Sequence, residues 1–211
     1  QSVDRFRKYS NKCKIFSFEP NIDVYKILKE KERSDHNLKT FNFGVGEKNE
    51  IKKFYEQPDS GASSFLKSEM GEVHELSHTP IALKNQNKTT LKKKIEFNYE
   101  TSAKIISLNS ILKENNIKHI DIIKIDTQGY EKNVLKGASE ILHNTLIVEA
   151  EVMFGKSYIN QSSLDEIMSY LKQFGFVLWD IPYIGKFATE EINRVNFVDI
   201  IFVNQNLLNK R

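Results

Sequence analysis

The fold of this chain is decided by the stretch Ile120-Asp121-Ile122-Ile123-Lys124-Ile125-Asp126-Thr127-Gln128-Gly129-Tyr130-Glu131. Its isoleucine-rich first half predicts a short buried strand that passes through a glycine-containing turn into a helix. Charged groups in a buried strand are costly unless they are paired or used, so Lys124 and Asp126 stand out. Ligands bind at the carboxyl ends of the strands in an open α/β sheet. The stretch therefore makes Asp126 and its neighbours the leading site candidates.

Length and composition limit the class of protein. The chain has 211 residues, of which 39% are hydrophobic, and a formal net charge of +3. This length suits one buried core, so we expect a single domain over residues 1–211. Basic clusters such as Lys92-Lys93-Lys94 are short and lack interleaved aromatic residues, which argues against a nucleic-acid partner. No stretch approaches the roughly 18 apolar residues of a membrane span, and no signal peptide is visible.

The cysteine content and the first residues of the sequence bear on the compartment and on where the chain starts. The single cysteine, Cys13, cannot form an internal disulfide and has no metal-ligand spacing to a partner, so we expect a reduced, cytoplasmic compartment. The sequence begins within a helical pattern, in which Val3, Phe6 and Tyr9 recur on one face. We therefore interpret the start as a truncation. The pattern does not indicate an oligomeric state.

Strand and helix patterns alternate along most of the sequence. Short joints between them predict a doubly wound α/β fold with a mainly parallel sheet covered by helices. The last two strands are separated by residues 182–196 without a helix pattern, so they should pair antiparallel and give a reversed strand near the C-terminus. Strands are expected at 14–18, 38–43, 51–55, 92–106, 119–126, 145–151, 176–181 and 197–204, and helices at 23–32, 108–114, 131–142 and 162–174.

Two regions depart from this alternation. Residues 44–46, Gly-Val-Gly, predict a turn after the strand at 38–43, and the strand at 51–55 is expected to form a hairpin with that predecessor. Residues 57–90 are polar and rich in glycine and serine, which predicts a long irregular loop. Loops of this length inside a compact domain are usually functional or disordered.

Acidic residues at strand ends are the first site candidates. Glu19 follows the strand at 14–18, where a carboxylate can accept both ribose hydroxyls of an adenosine ligand or can favour the next helix through its dipole. Spacing alone leaves these two roles equal. Asn21 is expected to cap that helix.

The strand pair at 119–126 and 145–151 carries further charged groups. Lys124 and Asp126 have the same parity and point to one face, and Glu149 and Glu151 share a face on the neighbouring strand. Asp126 can hold a substrate or the charged end of a cofactor, whereas Lys124 pairs with Asp126 or Glu149 either structurally or in catalysis. Two carboxylates without a clear third ligand are weak evidence for a metal ion, and no metal is predicted.

Two other motifs need an interpretation. His74-Glu75-Leu76-Ser77-His78 matches the zinc-protease string, but its polar surroundings lack an apolar helix face and a third ligand, so we interpret it as a coincidence. Trp179, Tyr183 and Phe187 are aromatic residues that either line a sugar-binding face or pack in the core. For Trp179 the stronger expectation is core packing.

These motifs, in this order, resemble the FkbM family of S-adenosylmethionine-dependent methyltransferases. The resemblance rests on residues 18–21 (Phe-Glu-Pro-Asn), 63–65 (Ser-Ser-Phe), 123–131 with 135–138, Glu149, 175–176 and 199–203. The Lys-x-Asp-x-x-Gly-x-Glu core at 124–131 is its most specific part. The resemblance implies a Rossmann-like class I methyltransferase fold and methyl transfer to an oxygen nucleophile, a hydroxyl on a sugar or other small metabolite.

The resemblance also implies roles for individual residues. The implied cofactor-binding residues and the implied catalytic residues have Asp126 in common. The two residues implied for substrate binding follow Asp126, in the turn and at the start of the next helix. The cofactor S-adenosylmethionine would bind at Glu19, Val45, Ser64 and Asp126, catalysis would use Asp126, Lys124 and Glu149, and the glycan or small-molecule acceptor would contact Gln128 and Glu131.

One departure from the family pattern is serious. The family begins with a strand and an Asp-x-Gly-x-Asn-x-Gly turn, which this sequence lacks. Those glycines let the backbone approach the methionine part of the cofactor. We therefore expect this chain to bind cofactor weakly or not at all. The alternatives are a zinc-dependent hydrolase that uses His74 and His78 and a non-catalytic binding module that retains the fold.

Overall fold

The structure, a computed structural model, describes residues 2–57, 60–69, 99–188 and 193–208. The helices are α1 (Ser2–Tyr9), α2 (Ile22–Ser34), α3 (Leu108–Glu114), α4 (Glu131–Gly137), α5 (Leu164–Lys172) and α6 (Gln205–Leu208). The strands are β1 (Ile15–Phe18), β2 (Leu38–Phe41), β3 (Gly44–Val45), β4 (Glu50–Glu56), β5 (Tyr99–Ile106), β6 (Ile120–Ile125), β7 (Thr145–Met153), β8 (Phe176–Ala188) and β9 (Asn193–Asn204). Helices and strands alternate over much of these ranges, but the strands β2 to β5 follow one another in the described residues, as do β8 and β9.

The described strands form three sheets, of which the two-stranded one is parallel and the other two are mixed. The strand orders are β1-β2, β3-β5-β4 and β6-β7-β9-β8. Parallel pairs are β1–β2, β3–β5 and β6–β7, whereas β4–β5, β7–β9 and β8–β9 are antiparallel. The expectation of a mainly parallel sheet is therefore wrong, although the reversed strand near the C-terminus is confirmed. Parallel neighbours need a crossover of a dozen or more residues, and the joint from β8 to β9 is too short for one.

Residues 44–56 also differ from expectation. Gly44–Val45 is a short strand that pairs in parallel with β5, not a turn. The strand predicted at 51–55 is β4, but it pairs with β5 and not with its predecessor, because β5 lies between β3 and β4. Most of the irregular loop expected at 57–90, and the zinc-protease string at 74–78 within it, lie outside the described residues.

The core lies on one face of the four-stranded sheet. Along β7 the side chains alternate: Val148, Ala150 and Val152 are fully buried, whereas Glu149 and Glu151 point to the opposite face. Helices α4 and α5 supply Leu135 and other apolar residues to the buried face. Burial of this face on two helices leaves the charged face free to form a site. The fully buried core side chains include Ile105, Leu135, Leu142, Ile167, Leu171 and Ile200.

The predicted cap at the start of α2 is confirmed, and α5 also begins at a cap. Asn21 caps α2, since its Oδ1 accepts from the backbone of Asp23 and Val24 at 3.0 and 3.1 Å. Ser163 and Glu166 form a capping box at the start of α5. These short-range contacts fix where each helix begins.

The β8–β9 pair is longer than the sequence predicted. The expected connection was 182–196, but β8 extends to residue 188 and β9 begins at residue 193. Pro182 lies within β8, where the register shifts between Asp180 and Tyr183. Proline is tolerated on an edge strand or at a bulge, and β8 is both. Trp179 is 59% exposed, so the expectation that it packs in the core is wrong. The side chain of Phe187 lies outside the described part.

None of the helices in the described ranges is long and apolar enough to cross a membrane.

Candidate functional site

The turn after β6 is held by a buried carboxylate. Glu131 is 1% exposed, and its Oε1 accepts hydrogen bonds from Thr127 N at 3.2 Å, Thr127 Oγ1 at 3.1 Å and Gly129 N at 3.0 Å. Burial raises the pKa of Glu131 to about 7, against these hydrogen bonds, which lower it. Glu131 therefore holds the turn, and its predicted contact with substrate would require the turn to open.

The tight geometry of this turn comes from Gln128 and Gly129. Both have positive φ angles, 53° and 92°. A Cβ on Gly129 would lie 2.8 Å from Gln161 Cβ, so glycine is required for space as well as for φ. The left-handed pair turns the backbone sharply from the strand end into α4.

Two serines attach neighbouring segments to the turn. Ser64 is 2% exposed, and its hydroxyl lies 2.8 Å from the carbonyl of Gln128 and accepts from Leu66 N at 3.0 Å. Ser162 Oγ donates to the carbonyl of Gly129 at 2.9 Å. The hydroxyl of Ser64 is thus used within the protein, and its predicted contact with a cofactor stays a prediction.

The amide of Gln128 joins two carboxylates. Its Nε2 donates to Asp126 Oδ1 at 2.9 Å and to Glu151 Oε1 at 2.7 Å, and its Oε1 accepts from Tyr158 Oη at 3.3 Å. Gln128 is 9% exposed, whereas the side chain of Asp126 is 43% exposed. A buried amide therefore presents one open carboxylate and one half-buried carboxylate at the ends of β6 and β7.

Lys124 lies deeper on the same face. Its Nζ is 3.4 Å from Glu149 Oε1 and 3.9 Å from Asp126 Oδ2, so it pairs with both expected partners. The Oε2 atom of Glu149 also accepts a hydrogen bond from Arg5 Nη2 at 2.6 Å. Burial favours a higher pKa for Glu149, but the bond from Arg5 and the charge of Lys124 outweigh it and lower the pKa. Glu149 is thus a paired, ionised anchor beneath Asp126.

Asp199 completes the charged face. The register places Asp199 of β9 opposite Glu151 of β7, so their side chains share a face. Burial raises the pKa of Asp199, and the charges of Glu149 and Asp126 raise it further against Lys124. Burial, with the charge of Asp126, raises the pKa of Glu151 to about 7. The face therefore holds two carboxyls that protonate unusually easily.

Glu19 lies at the end of β1 in different surroundings. Its Oε1 accepts from Asn21 N at 2.8 Å, and Asn21 Nδ2 donates to Glu56 Oε2 at 3.0 Å. Burial raises the pKa of Glu19, and the charge of Glu56 adds to this. In the described part of the chain, no hydrogen bond or ion pair joins Glu19 to Asp126.

The surroundings of Glu19 and Asp126 are nevertheless linked through β4. Tyr55, which precedes Glu56, exchanges backbone hydrogen bonds with Ser64 at 2.8 and 3.1 Å, and Ser64 contacts the turn after Asp126. Val45, the remaining predicted cofactor contact, is buried in the core beside β5, so its side chain is not open to a ligand. The structure therefore gathers Lys124, Asp126, Gln128 and Glu149 directly, and Glu19 only through this chain of contacts.

Sequence reasoning missed three members of the charged face. Glu151 was placed on the right face but given no role, while Arg5 and Asp199 had no signal, because each arrives from an element distant in sequence. The parity shared by Glu149 and Glu151 was the usable clue. Within the described ranges, no group of three His, Cys, Asp or Glu side chains has the geometry to hold a metal ion.

Comparison with known families gives one finding. The model described as the methyltransferase FkbM domain matches residues 2–178. This match covers α1 to the start of β8 and includes the whole turn between β6 and α4. No curated protein matches the chain significantly.

Proposed function

Because this chain belongs to the FkbM methyltransferase domain family, we propose that it transfers a methyl group from S-adenosylmethionine to a hydroxyl of a sugar or another small metabolite. One observation carries this proposal: Gln128 holds Asp126 and Glu151 together at the carboxyl ends of two adjacent parallel strands. Carboxylates in such a place can bind a hydroxyl and accept its proton.

The donor set suits the proposed cofactor. Glu19 ends a parallel strand, where a carboxylate accepts ribose hydroxyls, and the exposed carboxylate of Asp126 suits a charged amino-acid end. When bound, S-adenosylmethionine supplies an electrophilic methyl group on a sulfonium. Glu19, Asp126 and the backbones of Val45 and Ser64 are the residues that would hold it, as the family resemblance implies.

The protein residues would position the acceptor and take its proton. Asp126 is open to solvent and orients the acceptor hydroxyl, while Gln128 fixes the direction of its carboxylate. Glu151 has a pKa of about 7, which suits a base that takes and releases a proton at neutral pH. Lys124 and Arg5 both form ion pairs with Glu149 and so fix its side chain beneath Asp126. Most of the acceleration would come from alignment of the acceptor with the methyl group.

Transfer of a labelled methyl group tests this function. The purified protein is incubated with tritiated S-adenosylmethionine and fractionated pools of sugars and small metabolites, and label in the pool is counted. We expect transfer by the wild-type protein at cofactor concentrations high enough to offset the missing glycine turn, and a loss of about 100-fold in Asp126→Asn, because the amide lacks the negative charge that orients the acceptor hydroxyl. Asp121→Asn is the matched control, since Asp121 lies at the other end of β6 with its side chain 72% exposed. Full activity of Asp126→Asn would remove Asp126 from the mechanism.

The two alternatives gain no support. The family match favours neither a zinc hydrolase nor a non-catalytic module. Zinc bound at one equivalent and lost in His74→Ala would favour the hydrolase, and cofactor binding without transfer to any acceptor pool would favour the module. A cytoplasmic location remains part of the proposal and rests on the single, unpaired Cys13.

A further inference from the structure

The carboxylates of the site continue across the sheet into an aromatic residue. The strand register places Glu151 of β7 opposite Asp199 of β9, and Asp199 opposite Tyr183 of β8. Side chains opposite each other in an antiparallel pair share a face and have Cβ atoms about 4.5–5.5 Å apart. Glu151, Asp199 and Tyr183 therefore form one row, which starts at the amide of Gln128 and ends at an open ring.

A second, apolar row lies beside the first. Two residues further along β7, Met153 is opposite Phe197 of β9. Phe197 is in turn opposite Gly185 of β8. Phe197 and Asp199 are two residues apart on one strand, so they point to the same face. The face that carries Glu151 and Asp199 thus changes from carboxylates to apolar groups within two residues along each strand.

The ring pair of Tyr183 and Phe197 is built into the hairpin. Their centroids are 5.7 Å apart with an interplanar angle of 39°, within the range of a favourable aromatic contact. Gly185 makes room for this arrangement, because a Cβ at that position would overlap the ring of Phe197. Tyr183 is 55% exposed, so the pair offers an open edge or face beside Asp199.

Asp199 provides an acceptor beside the rings. Its Oδ1 is buried and has no hydrogen-bond partner among the described residues. A buried oxygen without a partner is costly, and rotation of the Asp199 carboxyl would let a ligand hydroxyl satisfy it.

We propose that Tyr183 and Phe197 form a shelf that binds the apolar face of a carbohydrate ring, with its hydroxyl groups on Asp199 and Glu151. A sugar ring has an apolar C–H face and hydroxyls at its rim, which matches an apolar row beside a carboxylate row. This inference rests on the proposed function and narrows its acceptor to a cyclic sugar. The shelf holds the ring, and the row of carboxylates leads one hydroxyl to Gln128 and Asp126.

Charge favours a neutral sugar over a cationic ligand. Carboxylates beside aromatic rings also attract ammonium groups. Here, however, burial raises the pKa of Glu151 to about 7, so at neutral pH this carboxyl carries less negative charge than an exposed one. Carboxyls that exchange between donor and acceptor forms suit hydroxyls, which also do both.

Binding can be measured without the cofactor. Saturation-transfer difference NMR is recorded on the 211-residue protein with methyl β-glucopyranoside, methyl β-galactopyranoside and methyl α-mannopyranoside, and with sorbitol and tetramethylammonium as reference probes. We expect a signal from at least one pyranoside, strongest on its ring C–H protons, and weaker signals from both references. Tyr183→Ala should weaken the pyranoside affinity about five- to tenfold, the size of one aromatic contact.

Two further variants separate the shelf from general damage to the hairpin. Ile184→Ala is the matched control: Ile184 is the next residue of β8, is 49% exposed and lies on the opposite face, so binding should not change. Gly185→Ala displaces the ring of Phe197 and should weaken binding as Tyr183→Ala does. Circular dichroism of each variant shows whether it remains folded.

The outcomes distinguish this inference from the proposed function. No pyranoside signal, equal loss in Ile184→Ala and Tyr183→Ala, or a stronger signal from tetramethylammonium would each overturn the shelf. Pyranoside binding that depends on Tyr183 supports it, even if no labelled methyl group reaches any acceptor, a result that would overturn the transferase function alone. Transfer only to acceptors without a sugar ring, with no pyranoside signal, would overturn the shelf and leave the transferase.

Discussion

Replacement of Glu131 by glutamine should change how the stability of the protein depends on pH. In the folded protein Glu131 is 1% exposed, its Oε1 accepts three hydrogen bonds, and its Oε2 is buried with no hydrogen-bond partner among the described residues. Glutamine keeps an oxygen for the three donors but cannot ionise. The wild-type protein must either keep this carboxyl protonated or bury its charge.

The magnitude follows from the pKa. Burial raises the pKa of Glu131 from its ordinary 4.5 to about 7. A raised pKa means that the folded state binds the proton more tightly than the unfolded state, so this contribution to stability is complete below pH 4.5 and is lost as the pH rises through 7. The gap corresponds to about 3.4 kcal/mol, at about 1.36 kcal/mol for each pH unit.

Urea unfolding at several pH values between 4 and 8 measures this effect. The free energy of unfolding of the wild-type protein minus that of Glu131→Gln should fall by about 3 kcal/mol across the range, because other titrating groups cancel in the difference. Glu140→Gln, a change at an exposed residue just after α4, should leave the difference flat. A flat or rising difference for Glu131→Gln would show that the carboxyl is not buried as described.

Three further changes test the site. Gly129→Ala should destabilise the fold by about 1–3 kcal/mol in urea unfolding, because φ is 92° and the new Cβ would lie 2.8 Å from Gln161; full stability would contradict the turn geometry. Gln128→Ala should cost about 2 kcal/mol and reduce methyl transfer, since two carboxylates lose their shared donor; unchanged activity would make the amide dispensable. Arg5→Ala should lower the free energy of unfolding by at most about 1 kcal/mol at pH 7, because the side chain of Arg5 is 39% exposed. The loss should be smaller at pH 3, because Glu149, whose pKa is lowered, stabilises the fold only while it is ionised. An equal loss at both pH values would contradict the ion pair of Arg5 and Glu149.

Local patterns predicted the cap of α2 and the turn after β6 correctly, whereas the helix expected at 131–142 ends at Gly137. Asn21 caps α2, and Gly129 takes the positive φ that a tight strand-to-helix turn requires. Each depends on residues within four positions of one another, so the signal is present in the sequence. The predicted ion pairs of Lys124 needed only strand parity and adjacent strands, and they are confirmed.

Sheet direction was predicted less well. Alternation of strands and helices favoured parallel pairing, but β4 pairs antiparallel with β5, which begins 43 residues after β4 ends. Strand periodicity shows which residues share a face and does not show which strand lies alongside. The exposure of Trp179 has the same origin, since an aromatic residue in a strand is buried only where another element covers it.

The sequence by itself determined the strand from Ile120 to Ile125, the turn at Gln128 and Gly129 and the charged face of Lys124 and Asp126, because backbone preferences and side-chain alternation act over a few residues. Only the tertiary structure decided that Arg5, Glu151 and Asp199 meet on that face and that the rings of Tyr183 and Phe197 lie beside them. Those contacts depend on the register between strands distant in the chain, and a shift of one residue would send each side chain to the opposite face.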